Sequence, residues 1–350
     1  AANTYDEVLT VTVNDLNEAP SITSTATTGA TEDTPYSYAI TTTDPDTGAV
    51  LAITAPTLPA WLTLTDNGDG TATLSGTPTN AEVGAHNVVL QVADQGALTD
   101  TQAFTITVTN TNDAPVITSD GGGAAAALNL AENTTAVTTV TSTDVDGGTP
   151  TYSIAGGADA ALFSIDGASG ALTFNTAPNF EAPADAGANN VYDVTVQVSD
   201  GNGGTDTQTI SITVSDDNEA PTDIAPNSFS INENVDTTGG VSLGTLTATD
   251  VDSGDTATYT IVPGGDGALF SIGGASSDEL ILTDGVLNHE AKPSYTVTVR
   301  VTDGAANTYD EVLTVTVNDL NEAPSITSTA TTGATEDTPY SYAITTTDPD

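Results

Sequence analysis

Apolar residues fall on every second position over long stretches of this chain. Val88, Leu90 and Val92 form one such run, matched by Val194, Val196, Val198 and by Val297, Val299, Val301. A second run follows each: Phe104, Ile106, Val108; then Ile210, Ile212, Val214; then Leu313, Val315, Val317. Period-two alternation rich in Val, Ile and Thr predicts strands with one buried and one wet face. No helical period competes, since the Ala124–Ala127 run is short and follows three glycines. Short strands broken by Gly, Asp, Asn and Pro turns predict an all-β chain of seven-stranded Greek-key sandwiches, arranged in tandem end to end.

Repeats set the domain length. Residues 305–350 reproduce residues 1–46 letter for letter, an offset of 304. A weaker period is punctuated by Asn17-Glu18-Ala19-Pro20, Asn112-Asp113-Ala114-Pro115, Asn218-Glu219-Ala220-Pro221 and Asn321-Glu322-Ala323-Pro324. The steps are 95, 106 and 103 residues, each one domain long. The expected partition is therefore 1–20 (the last strand of a preceding domain, with Leu9, Val11 and Val13, plus its linker), 21–115, 116–221, 222–324, and 325–350 as the start of the next copy of 21–115. Long repeats this alike bring no new chemistry per copy, and the simplest use of them is length. No initiator Met or signal peptide opens the chain, so a piece of a longer protein is expected.

Charge narrows the partners. The 350 residues carry 48 Asp plus Glu against 2 Lys plus Arg, a net charge of −46. Lys292 and Arg300 alone cannot grip a polyanion, which excludes nucleic acid and anionic membrane surfaces. No apolar run is long enough to span a bilayer. With 37% hydrophobic residues and its acids dispersed, the chain does not read as a disordered acidic tail. Such self-repulsion points to cations as partners. There is no Cys or Met, hence no disulfide, thiol nucleophile or thiolate metal site.

Three acidic motifs recur in register. Early in each domain stand Glu32-Asp33, Glu132-Asn133, Glu233-Asn234 and Glu336-Asp337. Asp-x-Asp follows as Asp44/Asp46, Asp144/Asp146, Asp250/Asp252 and Asp348/Asp350. A single Asp ends the first alternating strand, at Asp94, Asp200 and Asp303, each 18 residues before the linker Asn. A hairpin joining the two strands would place strand end and linker at opposite poles of one sandwich. Repeated carboxylates in loops suit a hard cation, because calcium takes six to eight oxygens. The Asp66–Gly70 run reads as turn chemistry alone.

These motifs resemble tandem cadherin-type domains of giant bacterial (RTX-type) surface adhesins. Residues 116–221 and 222–324 resemble cadherin repeats through Ala131-Glu132-Asn133, Asp144-Val145-Asp146, Phe163-Ser164-Ile165-Asp166, Asn179-Phe180-Glu181, Val198-Ser199-Asp200-Gly201 and the linker. Residues 21–115 are similar to the dystroglycan-type cadherin-like variant through Tyr36-Ser37-Tyr38, Leu58-Pro59-Ala60-Trp61-Leu62 and Ser75-Gly76-Thr77-Pro78. The resemblance implies cadherin/Ig-like sandwiches with calcium bound where successive domains meet. Carried over, the junction near 221 would use Glu132, Glu181, Asn218 and Glu219 with Asp250, Asp252 and Asp303. That near 115 would use Glu32, Asn112 and Asp113 with Asp144, Asp146 and Asp200. Near 324, Glu233, Glu290, Asn321 and Glu322 would meet Asp348 and Asp350. Near 20 stand Asn17, Glu18, Asp44, Asp46 and Asp94. The family's Asp-x-Glu appears as Asn179-Phe180-Glu181 and Asn288-His289-Glu290, and the first domain lacks it, with Asn80 and Glu82 as the nearest substitutes. About three ions at each of two complete junctions would offset roughly +12 of the charge.

The functional expectation is a non-enzymatic, extracellular, cell-surface extender stiffened by calcium, with neighbouring domains of the same chain as partners. The alternative is a glycan-binding or homophilic module, most plausibly 21–115 with Trp61, binding cell-surface glycans or other adhesin copies. A spacer for a secreted polysaccharide enzyme is a third reading. His86 and His289 have no nucleophile motif nearby, and paired carboxylates at junctions offer no glycosidase cleft.

Overall fold

The computed structural model describes residues 1–252 and 254–348, which divide into two compact units. One comprises Ala1–Leu130, Thr134–Ala177 and Asp185–Thr213, the other Ala131–Asn133, Pro178–Ala184 and Val214–Asp350. The fold is all-β: among the described residues the only helices are single 3-10 turns such as Asn80–Glu82 and Ala160–Leu162.

In the first unit, residues 21–109 form a complete sandwich. One sheet orders Ser21–Ile22, Tyr36–Thr43, Thr71–Gly76 and Thr63–Asp66; the other orders Gly29–Thr31, Thr99–Thr109, Gly84–Ala93 and Ala52–Thr57. The first strand is split, so counting it once gives seven. Ser21–Ile22 pairs antiparallel with Tyr36–Thr43, and Gly29–Thr31 then pairs in parallel with Thr99–Thr109 in the opposite sheet. The alternation works as expected: Val88, Leu90, Val92, Ile106 and Val108 are all buried. Burying each such side chain contributes about 1.5–3 kcal/mol, and no single strand could bury them alone. Trp61 packs half-buried against this core, edge-on to Tyr36 and His86. Its carbonyl leaves no room at residue 76, where a Cβ would approach it to 2.0 Å, so only glycine fits.

The same plan recurs in both later sandwiches. Val116–Ile117 pairs with Ser142–Thr143, and Ala125–Ala131 lies beside Thr205–Ser215, Val191–Ser199 and Thr151–Gly156. In the second unit Asp223–Ala225 pairs with Thr247–Thr249, while Ser228–Asn232 runs parallel to Thr308–Asn318. There Val297, Val299, Val301, Leu313, Val315 and Val317 are all at most 1% exposed.

Residues 1–20 differ from the expectation of a last strand. They form no strand, and Leu9, Val11 and Val13 are 84%, 73% and 88% exposed. The same letters at Leu313, Val315 and Val317 form a buried strand, because there Ser294–Thr302 and Ser228–Asn232 flank them. Alternation supplies an apolar face; a partner sheet is needed to bury it.

Candidate metal centres at the linkers

The parallel pairing of the split first strand aims a glutamate at each linker. Glu32, Glu132 and Glu233 follow that strand, and their N–H groups donate to the last strand through the carbonyls of Thr109, Ser215 and Asn318 (3.1, 3.0 and 3.1 Å). The next residue, Asp33, Asn133 or Asn234, turns into the left-handed region at φ 55–63° and donates its N–H to Pro78, Pro178 or Leu287. Asp and Asn tolerate that conformation better than other non-glycine residues. The three glutamates are at most 2% exposed. Each carboxylate accepts the N–H of the residue before the linker Asn: Thr111 (3.2 Å), Asp217 (3.1 Å) and Leu320 (2.7 Å). Glu132 and Glu233 also accept the N–H of Phe180 (2.8 Å) and His289 (2.9 Å), in the middle of the presumed ligand motifs.

Beyond the Glu, the linker is held by the following sandwich in the same way three times. The Nδ2 of Asn17, Asn112 and Asn218 donates to the strand-end Asp94, Asp200 and Asp303 at 2.7, 2.6 and 2.8 Å. The N–H of Glu18, Asp113 and Glu219 donates to the second carboxylate of Asp-x-Asp, on Asp46, Asp146 and Asp252, at 2.8, 2.6 and 2.8 Å. The first carboxylate, on Asp44, Asp144 or Asp250, accepts the N–H of the second. The set near 115 lies wholly within the first unit and that near 221 wholly within the second. Near 324, Asn321 donates to the Glu322 carbonyl, Asp348 is exposed, and Asp350 lies outside the described residues.

Carboxylates crowd at these points. Ligand oxygens of Glu132, Glu181, Asp216 and Glu219 lie within 4.8 Å of one another, as do those of Glu32, Asp33, Asp113, of Asp15, Glu18, Asp46, and of Glu233, Glu290, Glu322. Loss of hydration pushes Glu181 and Glu219 above the ordinary carboxylate range, with the Glu132 charge adding to it. Asp113 rises for the same first reason, with Asp146 next, and Glu18 rises chiefly through Asp46. The strand-end groups go the other way. The Asn112 amide holds Asp200 low. At Asp303 loss of hydration is the largest single effect, yet the hydrogen bonds from Asn218, Asn307 and Ala305 leave the group low.

Do these residues fit a hard cation? Three carboxylate oxygens, Asp44 Oδ2, Glu219 Oε2 and Asp252 Oδ1, are shielded from solvent without any hydrogen-bond donor. A shielded carboxylate oxygen facing other carboxylates, with no donor, is costly unless a cation satisfies it. The donor sets are all oxygen, which suits calcium. The residues fit.

Several participants were not among the ligands expected from the sequence. Asp15, Asp216 and Asp319 stand two residues before the linker Asn, and Asp33 follows the early Glu; all four join carboxylate groups. The signal was present, since that linker position is Asp in three linkers of four and Asn110 in the other. Asn133 and Asn234 donate to Glu219 and Glu322 (both 2.8 Å). Of the substitutes in the first domain, Asn80 reaches Asp146 at 2.7 Å, whereas Glu82 folds back onto Thr79. Asp66 and Asp69 accept the N–H of Gly68 and Thr71 in their own turn, and Asp66 also accepts that of Ile53 at 2.9 Å, so the run is not turn chemistry alone.

Three successive segments match family models: 19–109 the "Putative Ig domain", 112–213 the "Bacterial Ig domain" and 227–318 the "Cadherin domain". The middle segment, read above as a cadherin repeat, thus matches an Ig-like model. The fold is similar to protocadherin gamma B2 extracellular cadherin domains 3–6 (22% identity, 87% of this chain and 80% of that one, TM-score 0.56). It is also similar to protocadherin gammaB7 EC3-6 in a cis-dimer structure (22%, 86% and 77%, TM-score 0.57). Against the protocadherin gammaB4 extracellular domain the identity is 23% and the TM-score 0.56; 95% of this chain matches about half, 55%, of that one. The chain is a tandem of Ig-like and cadherin-type domains.

Proposed function

We propose that this chain is an extender segment of a long extracellular, calcium-dependent adhesin of a bacterial cell surface, with a structural rather than enzymatic role. The observation that carries the reading is the recurrence of one hydrogen-bonded frame of carboxylates at the linkers near 20, 115 and 221, with shielded carboxylate oxygens that have no donor near 20 and 221. The match of 112–213 to a bacterial Ig model supports the bacterial setting. Trp61 is engaged by its own core, which leaves a glycan-binding or homophilic role for 21–115 without its leading candidate.

The holding residues near 115 would be Glu32, Asp33, Asp113, Asp144, Asp146 and Asp200, and near 221 Glu132, Glu181, Asp216, Glu219, Asp250, Asp252 and Asp303. Calcium supplies positive charge that these carboxylates share across the linker. Without it they repel, and at about 5 Å each pair costs ~1 kcal/mol even in water-like dielectric. The asparagine amides and linker N–H groups orient the frame, and the carboxylates convert ion concentration into a fixed angle between domains. Extracellular modules of this kind bind at about 10⁻⁴–10⁻³ M, which sets the working range. Small-angle scattering in millimolar calcium and in chelator tests the reading. Calcium should narrow the distribution of interdomain distances, and superimposable curves would refute it.

A further inference from the structure

The second sandwich holds a polar pair in its interior, away from the carboxylate clusters. Gln208, in the strand Thr205–Ser215, is 0% exposed. Its Nε2 donates to the carbonyls of Ser119 (3.3 Å) and Gly123 (3.1 Å), which fixes the orientation of the amide. Gln208 Oε1 and Ser119 Oγ are both shielded from solvent, and neither has a hydrogen-bond partner among the described residues. The first sandwich shows what completes such a pair. Ser24 and Gln102 hold the same places there: Ile22 and Ile117, two residues before each serine, donate N–H to Asp100 (2.9 Å) and Asp206 (2.8 Å), two residues before each glutamine. Gln102 Nε2 likewise donates to the Ser24 carbonyl, at 2.8 Å. The Tyr38 hydroxyl closes that network, 2.9 Å from Gln102 Oε1 and 2.7 Å from Ser24 Oγ. Six residues before Asp-x-Asp, where the first sandwich has Tyr38, the second has Thr138. Thr138 gives its hydroxyl to Asp120 instead, 3.1 Å from each carboxylate oxygen.

We infer that an internal water molecule binds between Gln208 Oε1 and Ser119 Oγ, in the place that the Tyr38 hydroxyl fills in the first sandwich. The donors and acceptors select water over an ion. Oε1 only accepts, so it offers an anion nothing. A cation would find two neutral oxygens, because the nearby carbonyls are already engaged by Nε2, and calcium takes six to eight. Water donates to Oε1 and shares a second hydrogen bond with the serine hydroxyl, within the two to four that buried waters make. A buried acceptor left without a donor is costly, and removing that cost gives the site its affinity. The water ties the residues just after the linker near 115 to the last strand of the sandwich. No calcium takes part, so the site stands apart from the proposed function.

The test is a high-resolution crystal structure of the full chain, grown in calcium and soaked with Rb⁺. One ordered peak is expected about 3 Å from both Gln208 Oε1 and Ser119 Oγ, with no anomalous signal from rubidium or calcium. No such peak should stand between Gln102 and Ser24, where the Tyr38 hydroxyl serves as the internal control. An empty site, a direct bond between Gln208 and Ser119, or an anomalous peak between them would overturn the inference. The parent structure decides this whether or not a variant folds. Ser119→Ala then tests what the water does. Removing one of its partners should speed hydrogen exchange about tenfold at Thr118 and Gly122, whose N–H groups donate to the Thr141 (2.8 Å) and Ser119 (2.9 Å) carbonyls. The third sandwich should exchange at its former rates. Unchanged exchange at Thr118 and Gly122 would show that the water does not hold this segment to the strand.

Discussion

Glu219→Gln should change stability in opposite directions with and without calcium. Glu219 sits in the group formed with Glu132, Glu181 and Asp216, all ligand oxygens within 4.8 Å of one another. Its Oε1 accepts Asn133 Nδ2 at 2.8 Å and its N–H donates to Asp252 at 2.8 Å. Glutamine keeps both bonds, so the perturbation is one charge. Three like-charge pairs disappear. At this separation each is worth about 1 kcal/mol in a water-like dielectric and about 3–4 kcal/mol at an effective value near 20, the lower figure applying where water and salt screen. Removing them should stabilise the calcium-free chain by ~2–3 kcal/mol, seen as a melting temperature raised by several degrees. The new amide can add to this by donating to the remaining carboxylates. In calcium the same change removes a charged ligand and should weaken binding about tenfold, or ~1.4 kcal/mol per affected ion. Scanning calorimetry of both proteins, in chelator and in millimolar calcium, reads both signs. A variant less stable than the parent in chelator would show that Glu219 is not repelled by its neighbours, and the electrostatic reasoning would fall.

Gly76→Ala should destabilise the first sandwich by about 1–3 kcal/mol regardless of calcium, because the added methyl meets the Trp61 carbonyl at 2.0 Å; urea titration checks it, and an unchanged midpoint would refute the clash. In chelator, stability should pass through a maximum as pH falls from neutral. The raised groups Glu18, Asp113, Glu181 and Glu219 take protons first in the folded chain, which favours it. Further acid then protonates the depressed Asp200, Asp266 and Asp303, and their contribution is lost; melting curves against pH would show a monotonic fall if the crowding is unreal. Lys292→Met removes the cation that lies 2.5 Å from Asp266 and 4.2 Å from the Tyr295 ring centre. The pair is partly exposed, so the loss should be only about 1 kcal/mol by thermal melt, and a much larger loss would refute the screened view.

The carboxylate clusters at the linkers were legible to the degree that their spacing was regular. The early Glu, Asp-x-Asp, strand-end Asp and linker Asn keep one register, and the folded chain brings these groups together near 115 and 221, and all but the early Glu near 20. Asp216 was missed because two adjacent acids precede Asn218, and sequence alone does not say which one turns inward. Asp217 instead gives its backbone N–H to Glu132. Glu82 was misjudged for the reverse reason. It stands at the right distance from the linker, yet Thr79 three residues earlier offers it both an N–H and a hydroxyl at 2.8 and 2.7 Å. A nearby donor costs less chain entropy than a distant ion cluster.

The duplicated 46 residues separate what local sequence decides from what neighbours decide. In both copies the short antiparallel pairing forms, Ser21–Ile22 with Thr42–Thr43 and Ser325–Ile326 with Thr346–Thr347. In both, a tyrosine hydroxyl, Tyr38 or Tyr342, meets the serine 14 residues earlier at 2.7 and 2.6 Å. These contacts are close in sequence and need nothing else. Burial does not follow them. Ile40 is 0% exposed and Ile344 62%; Val315 is 0% and Val11 73%. Truncation should respect that difference. Val315→Ala should cost about 2 kcal/mol through lost burial and the cavity left behind, while Val11→Ala should leave denaturation unchanged. Equal costs at the two sites would mean that Val11 is packed in solution, and that the alternating pattern alone can hold a strand without the sheet beside it.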